Sequence, residues 1–389
     1  MLGFTAGRLL TAHGAIERPL LLVDQGRIVE AVPRAQREPP TSLSLADFGD
    51  ATIAPGYFDL HFHGAAGYDV MDDAPEALSG IEHFLTRHGV TSYFPTTITA
   101  PIDQTLHALE RLADAIDYKS KQEGQRTGRA VPLGIHLEGP FISHVRRGVH
   151  PAANLLPPTL AAFERLWQAA RGHVRMMTIA PELEGALELV SAAAARGVCV
   201  SLGHSDGDLP TAQRAIARGA RHATHTFNAM RPLMHRDPGI SGAVLTEDGL
   251  SADIIADGIH LDPAIVKLVA LAKGPERTVL ITDAISATGM PDGRYHLGAV
   301  EVEVKDGKCT AGGRLAGSVL TLDRAVRNLA QFAGWSLDQA VAAASRNPAR
   351  VVKCPNKGSL AAGSDADFVV LDSQGNILRT FVGGIECPQ

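Results

Sequence analysis

The stretch APGYFDLHFHG, residues 54–64, decides the reading of this chain: an apolar run closes on two histidines, His61 and His63. Side chains two apart on a β-strand leave the same face. If residues 52–60 form a strand, both imidazoles project together just beyond its end. A pair of nitrogen donors so placed is the start of a metal site, so the first question is what kind of sheet the strand belongs to.

Working outward, seven more apolar β-like runs follow at 90–98, 130–137, 174–181, 198–203, 222–227, 252–257 and 278–283. Helix-like segments separate most of them: PEALSGIEHFLTRHG, PIDQTLHALERLADAI, TLAAFERLWQAARG, LEGALELVSAAAARG, DLPTAQRAIARGA and LDPAIVKLVALAKG. Several end in Gly, as helices often do. An eighth helix fits at 320–334, and LDQAVAAASRNPARVV supplies a further one. Alternating strands and helices imply a parallel sheet, and eight such units imply a closed (β/α)8 barrel of the TIM type. The ends of the chain read differently. Leu20–Val32 is a hairpin about Asp24-Gln25-Gly26, and FVVLD and NILRTFVGG flank Ser373-Gln374-Gly375. The expected architecture is an α/β barrel over 54–354 with a small β-sandwich domain built from 1–53 plus 355–389.

In such a barrel the active site lies at the C-terminal strand ends. There the runs lead into His61-Phe62-His63, His136-Leu137-Glu138-Gly139-Pro140, Gly203-His204-Ser205, Thr224-His225-Thr226, Asp257-Gly258-Ile259-His260 and Thr282-Asp283-Ala284. A single strand-end histidine is most often a packing residue, and a single Asp often caps the next helix. Four histidines, one Glu and one Asp on five strand ends of one barrel exceed what packing explains. Nitrogen and carboxylate donors together suit zinc, iron, manganese or cobalt. His136 shares a strand face with Glu138, in a supporting place. His150 lies in the loop RRGVHPAAN, Arg146 and Arg147 read as a solvated pair, and Arg236 precedes the turn Asp237-Pro238-Gly239, where a local salt bridge is an alternative to a binding role.

The bulk numbers narrow the class. The chain has 389 residues, 45% hydrophobic and 20% charged, enough for a large core without cross-links. A net charge of −6, from 36 basic and 42 acidic residues, argues against a nucleic-acid surface. No run of about 18 apolar residues spans a membrane, and MLGFTAGRLLTAHG is no signal peptide. Cys199, Cys309, Cys354 and Cys387 form no C-x-x-C pair. That speaks against a zinc ribbon and for a reducing, cytoplasmic setting.

The motifs APGYFDLHFHG, GIHLEGPFI with GVHP, SLGHSDG, ATHTFNAM with RDPG, ADGIH, LITDA and LAGS resemble the amidohydrolase superfamily and, within it, the N-acetylglucosamine-6-phosphate deacetylase family. The likeness covers nearly the whole chain, and SRNPAR with GSLAAGSDADFVVLD resembles the superfamily's return to its terminal sandwich. It implies a metal-dependent amide hydrolase that removes acetate from an N-acetylamino sugar 6-phosphate in amino-sugar catabolism and recycling. It implies Glu138, His204 and His225 as ligands of the main divalent ion, and His61 and His63 as ligands of a second. Asp283 would be a ligand and the catalytic acid/base, and His150 would contact the amide. Gly139, Asn228, Ala229, Arg236, His260, Ala316, Gly317 and Ser318 would bind the sugar phosphate. The matching Arg comes from a neighbouring subunit, which implies a homodimer. One or two ions, and a glucosamine or galactosamine substrate, stay open. Rival readings are a cyclic amidase or an aminoacylase. Cyclic amidases of the superfamily usually carry a bridging lysine on strand four, whereas VRMMTIAP has none. A non-catalytic relative would have lost these ligands.

Overall fold

Eight parallel strands curl into the barrel that the alternation implies. They are Tyr57–Phe62, Val90–Thr97, Ile135–Glu138, Val174–Ile179, Cys199–Leu202, His222–Ala223, Ser251–Ile254 and Thr278–Leu280. Each pairs with the next in chain order. The ring is nearly closed beyond the eighth strand, where the Asp283 N–H donates to the His61 carbonyl at 3.0 Å and the His63 N–H to the Ala284 carbonyl at 2.8 Å. This computed structural model describes residues 1–37, 43–121 and 128–388. Residues 38–42 and 389 of the expected terminal domain, and 122–127 of the expected barrel, lie outside the described residues.

The run 52–60 is not one strand. Thr52–Pro55 pairs with Phe368–Leu371 and Arg8–Thr11 in a terminal sheet, and only from Tyr57 does the chain join the barrel. Gly56 makes the passage. A Cβ there would fall 2.4 Å from Thr91 Oγ1, and its N–H donates to the Asp367 carbonyl at 3.0 Å. One apolar stretch therefore serves two sheets. Terminal strands form a four-stranded and a six-stranded sheet. Between them pack Phe4, Leu9, Leu21, Ile53, Phe368 and Phe381, with Phe4 edge-on to Phe368 at 4.9 Å. The expected hairpin is present as Pro19–Asp24 against Arg27–Pro33.

Seven expected helices are seen as Ala77–Arg87, Ile102–Lys121, Leu160–Ala169, Ala186–Ala195, Leu209–Ala217, Pro263–Arg277 and Leu322–Ala333, and the further one is divided into Leu337–Ala344 and Arg346–Val351. The side chains of Thr159, Asp208 and Asp262 cap their N-termini. Two elements were not expected. Helix Gly239–Thr246 follows strand six; its first six residues are buried, so it has no polar face to give a helical period. A four-stranded antiparallel sheet, from Gly293–Leu297 to Arg314–Leu315, is inserted after strand eight. It packs Leu297, Val302, Val304 and Cys309 against Ile98 and Ile285, and so stands beside the barrel mouth. Among the described residues no helix is long and apolar enough to cross a membrane.

Candidate metal centre

Strand ends one, three, five, six and eight bring His61, His63, Glu138, His204, His225 and Asp283 to one buried spot. Glu138 is its middle. Oε1 lies 3.0 Å from His225 Nε2, 3.2 Å from His204 Nε2 and 3.3 Å from His61 Nε2. Oε2 lies 3.1 Å from His63 Nε2 and 3.5 Å from His150 Nε2. Asp283 Oδ1 stands 3.2 Å from His63 Nε2 and 3.4 Å from His61 Nε2. His204, His225 and Asp283 hold left-handed backbone conformations, φ 47°, 30° and 52°. Non-glycine residues rarely adopt them, and such strain collects at functional sites. Here it turns each side chain off its strand and over the barrel axis.

The neighbours hold the rings. The His63 Nδ1–H donates to the Thr96 carbonyl at 3.0 Å, and the His204 Nδ1–H to the Arg146 carbonyl at 2.9 Å. Asp59 accepts from the His61 N–H at 3.2 Å and from the Thr282 hydroxyl at 2.6 Å, joining strand one to strand eight. Asp253 accepts the His225 N–H and pairs with His222 Nε2 at 2.9 Å. His136 lies below the cluster, its nitrogens against the Thr96 and Thr178 hydroxyls and its ring 4.7 Å from that of His61, edge-on.

These donors fit a divalent cation. With Nδ1–H spent on carbonyls, His63 and His204 aim Nε2 lone pairs at the carboxylate oxygens, and the Nε2 atoms of His204 and His225 stand 3.0 Å apart. Lone pairs that converge on anions repel unless a cation or protons lie between them. Burial opposes charge on His63, yet its hydrogen bonds to Asp283 and Glu138 hold its pKa up, to about 10. For His225 burial likewise opposes charge, and Glu138 holds it up to about 9. Protons and a cation therefore compete for the same nitrogens, and metal binding releases protons. The expected outcome is affinity that climbs as pH rises toward about 9. Calorimetric metal titration in buffers of different ionisation enthalpy checks it; pH-independent affinity from pH 6 to pH 8 contradicts it.

The cluster floors a cavity of about 350 Å³, within the usual size of small-molecule sites. Its wall includes His150, Asn228, Ala229, His260, Ala316 and Gly317, six of the residues that the resemblance implies. Gly139 and Ser318 do not line it. Gly139 sits at φ 81°, where a Cβ would fall 2.1 Å from Thr99 Oγ1, and Ser318 is tied to the backbone of strand eight. Arg236 is exposed and lies off this wall. The local ion pair with Asp237 belongs to Arg231 instead. Nor are Arg146 and Arg147 simply a solvated pair: Arg146 lines the cavity and donates to Asp206 at 2.7 Å. The Thr99 N–H points at His150 Nδ1, 3.4 Å away, leaving Nε2 as the protonated nitrogen facing the site. Burial pushes the His150 pKa down to about 4, so the ring is a neutral donor. Asp257 holds His260 through Nδ1 at 2.7 Å. Sequence reasoning missed Thr99, Asp59 and Asp253, whose partners are distant in the chain, and Arg314, which lines the cavity from the inserted sheet.

Known proteins resemble nearly the whole chain. Residues 52–386 match the family model described as Amidohydrolase family. N-acetylglucosamine-6-phosphate deacetylase of Bos taurus is 40% identical, the match covering 98% of this chain and 94% of that one. N-acetylgalactosamine-6-phosphate deacetylase of Escherichia coli O157:H7 is 38% identical over 97% of both chains. The crystal structure of N-acetyl-D-glucosamine-6-phosphate deacetylase from Mycobacterium smegmatis superposes with a TM-score of 0.91 at 32% identity, covering 100% of both chains.

Proposed function

Since the chain belongs to the amidohydrolase family, we propose that it hydrolyses N-acetyl-D-glucosamine 6-phosphate to D-glucosamine 6-phosphate and acetate. The observation that carries this reading is Glu138 placed between two sets of histidines, with Asp283 beside it and a neutral His150 facing the same spot. Glu138, His204 and His225 would hold one divalent ion, and His61 and His63, with Glu138 and Asp283, a second. A divalent cation there supplies Lewis acidity, which lowers the pKa of a water it holds from 15.7 to roughly 7.

The chain's own groups do the rest. Burial works against the Asp283 carboxylate, but attraction to His61 and the hydrogen bond to His63 outweigh it and keep its pKa below the usual range; a cation held by those histidines would favour the same anionic form. As an anion it accepts the proton of the attacking water. It then returns that proton to the amide nitrogen, which leaves as an amine. The His150 Nε2–H donates to the carbonyl oxygen as negative charge builds there. His150→Gln is expected to lower kcat about 10²–10³-fold with metal content unchanged. Near-normal kcat in that variant contradicts the donor role.

Asn228, Ala229, His260, Ala316 and Gly317 form the sugar-phosphate wall. Arg236, exposed on a turn beside exposed Leu233 and Met234, would reach the site of a second copy in a homodimer. Four free cysteines support a cytoplasmic setting. The galactosamine epimer is the second reading, supported by the Escherichia coli relative. The test offers metal-loaded protein both phosphorylated epimers and unphosphorylated N-acetylglucosamine, and follows acetate. Fastest turnover of the phosphorylated gluco epimer is expected. Turnover of dihydroorotate or an N-acylamino acid instead, with none of the sugars hydrolysed, contradicts the reading.

A further inference from the structure

Two arginines line the cavity, and they differ in what else they touch. The Arg146 guanidinium donates to Asp206 at 2.7 Å, and its carbonyl holds His204. Arg314 is exposed, and among the described residues its guanidinium has neither an ion-pair nor a hydrogen-bond partner. The cavity's two carboxylates, Glu138 and Asp283, both belong to the buried cluster on its floor. With those carboxylates given to the ions of the metal centre, Arg314 is the wall's arginine without a partner among the described residues, and an anionic group of a ligand is attracted to it. The backbone that carries Arg314 is tied to the strand that carries Asp283. Four residues on, the Ser318 N–H donates to the Asp283 carbonyl at 2.8 Å, and its hydroxyl donates to the Thr282 carbonyl at 2.6 Å.

We propose that Arg314, from the same chain as the metal cluster, binds the phosphoryl group of the substrate and so sets the preference for a phosphorylated over a free N-acetylamino sugar. The inference rests on the phosphosugar reading above. The planar guanidinium offers a fork of N–H donors that matches two phosphate oxygens, which a lysine does only as a point charge. A phosphate so held lies at the rim while the acetamido group lies on the floor. Arg314 contributes binding in the ground and transition states alike, so its loss acts on KM rather than on kcat.

The test is steady-state kinetics of the metal-loaded enzyme and of Arg314→Ala and Arg314→Lys, on N-acetylglucosamine 6-phosphate and on N-acetylglucosamine, at low and high salt. For Arg314→Ala the expected result is a KM about ten-fold higher on the phosphorylated sugar, the size of one charge-assisted contact at an exposed site. Its kcat should stay within about two-fold and its kcat/KM on the free sugar should not change. The lysine variant should fall between, and the alanine variant should lose part of the salt dependence that screening imposes. An unchanged KM in Arg314→Ala, where the wild type prefers the phosphorylated sugar, overturns the role of Arg314 alone. Equal losses on both sugars overturn it in favour of a structural role. A wild type indifferent to the phosphate overturns the phosphosugar reading and this inference with it.

Discussion

Asp283→Asn is expected to lower kcat about 10²–10⁴-fold, the usual contribution of a positioned acid/base, while the protein keeps its fold and most of its metal. Asn matches Asp in shape. The backbone bonds that place residue 283, its N–H to the His61 carbonyl and its carbonyl to the Ser318 N–H, do not involve the side chain. What the amide cannot do is take a proton from water and hand it on to the amine. The carboxylate is available for the first step, because His61 and His63, or a cation that they would hold, favour its ionised form against its burial. It sits on the edge of the cluster, whereas Glu138 sits in the centre, so the ions retain the other donors. Rate measurement paired with elemental analysis checks this. Turnover near the wild-type level, or loss of metal to the same extent as turnover, contradicts the proton-carrying role.

Glu138→Gln should have the opposite signature, with metal and activity lost together. Its oxygens face His61, His204 and His225 on one side and His63 and His150 on the other. Removing the charge leaves converging imidazole nitrogens around a neutral amide. Changes to groups that merely support metal ligands already cost about 10–100-fold in affinity, so a shared carboxylate should cost more than ~10²-fold. Full metal content in this variant contradicts the assignment of Glu138 as a shared ligand. Replacing His61 and His63 together should remove one ion and leave the other, which distinguishes two sites from one.

Much of this was legible from strand ends. Apolar runs mark the parallel strands because both faces of such a strand are buried, and polar residues just past each run stand out against them. That is why His61, His63, Glu138, His204, His225 and Asp283 are all legible in the sequence alone. What the pattern hid has physical reasons. The run 52–60 is continuous in hydrophobicity yet divided by Gly56 between two sheets. Helix Gly239–Thr246 lacks a polar face, and the inserted sheet occupies a place where the barrel reading expects only a connection. Arg146 and Arg314 sit in polar, turn-rich stretches, where an arginine that lines a cavity looks like one in solvent. Thr99 acquires a role only when folding sets its N–H against His150, 51 positions away.

The central claim is that the cluster around Glu138 is a divalent-metal centre that performs the deacetylation. Its most direct test is titration of metal-free protein with a divalent ion while acetate release from N-acetylglucosamine 6-phosphate is followed. Activity should be absent at the start, rise with bound metal and reach a plateau at no more than two ions per chain. Full acetate release by protein shown to be free of metal would contradict the account.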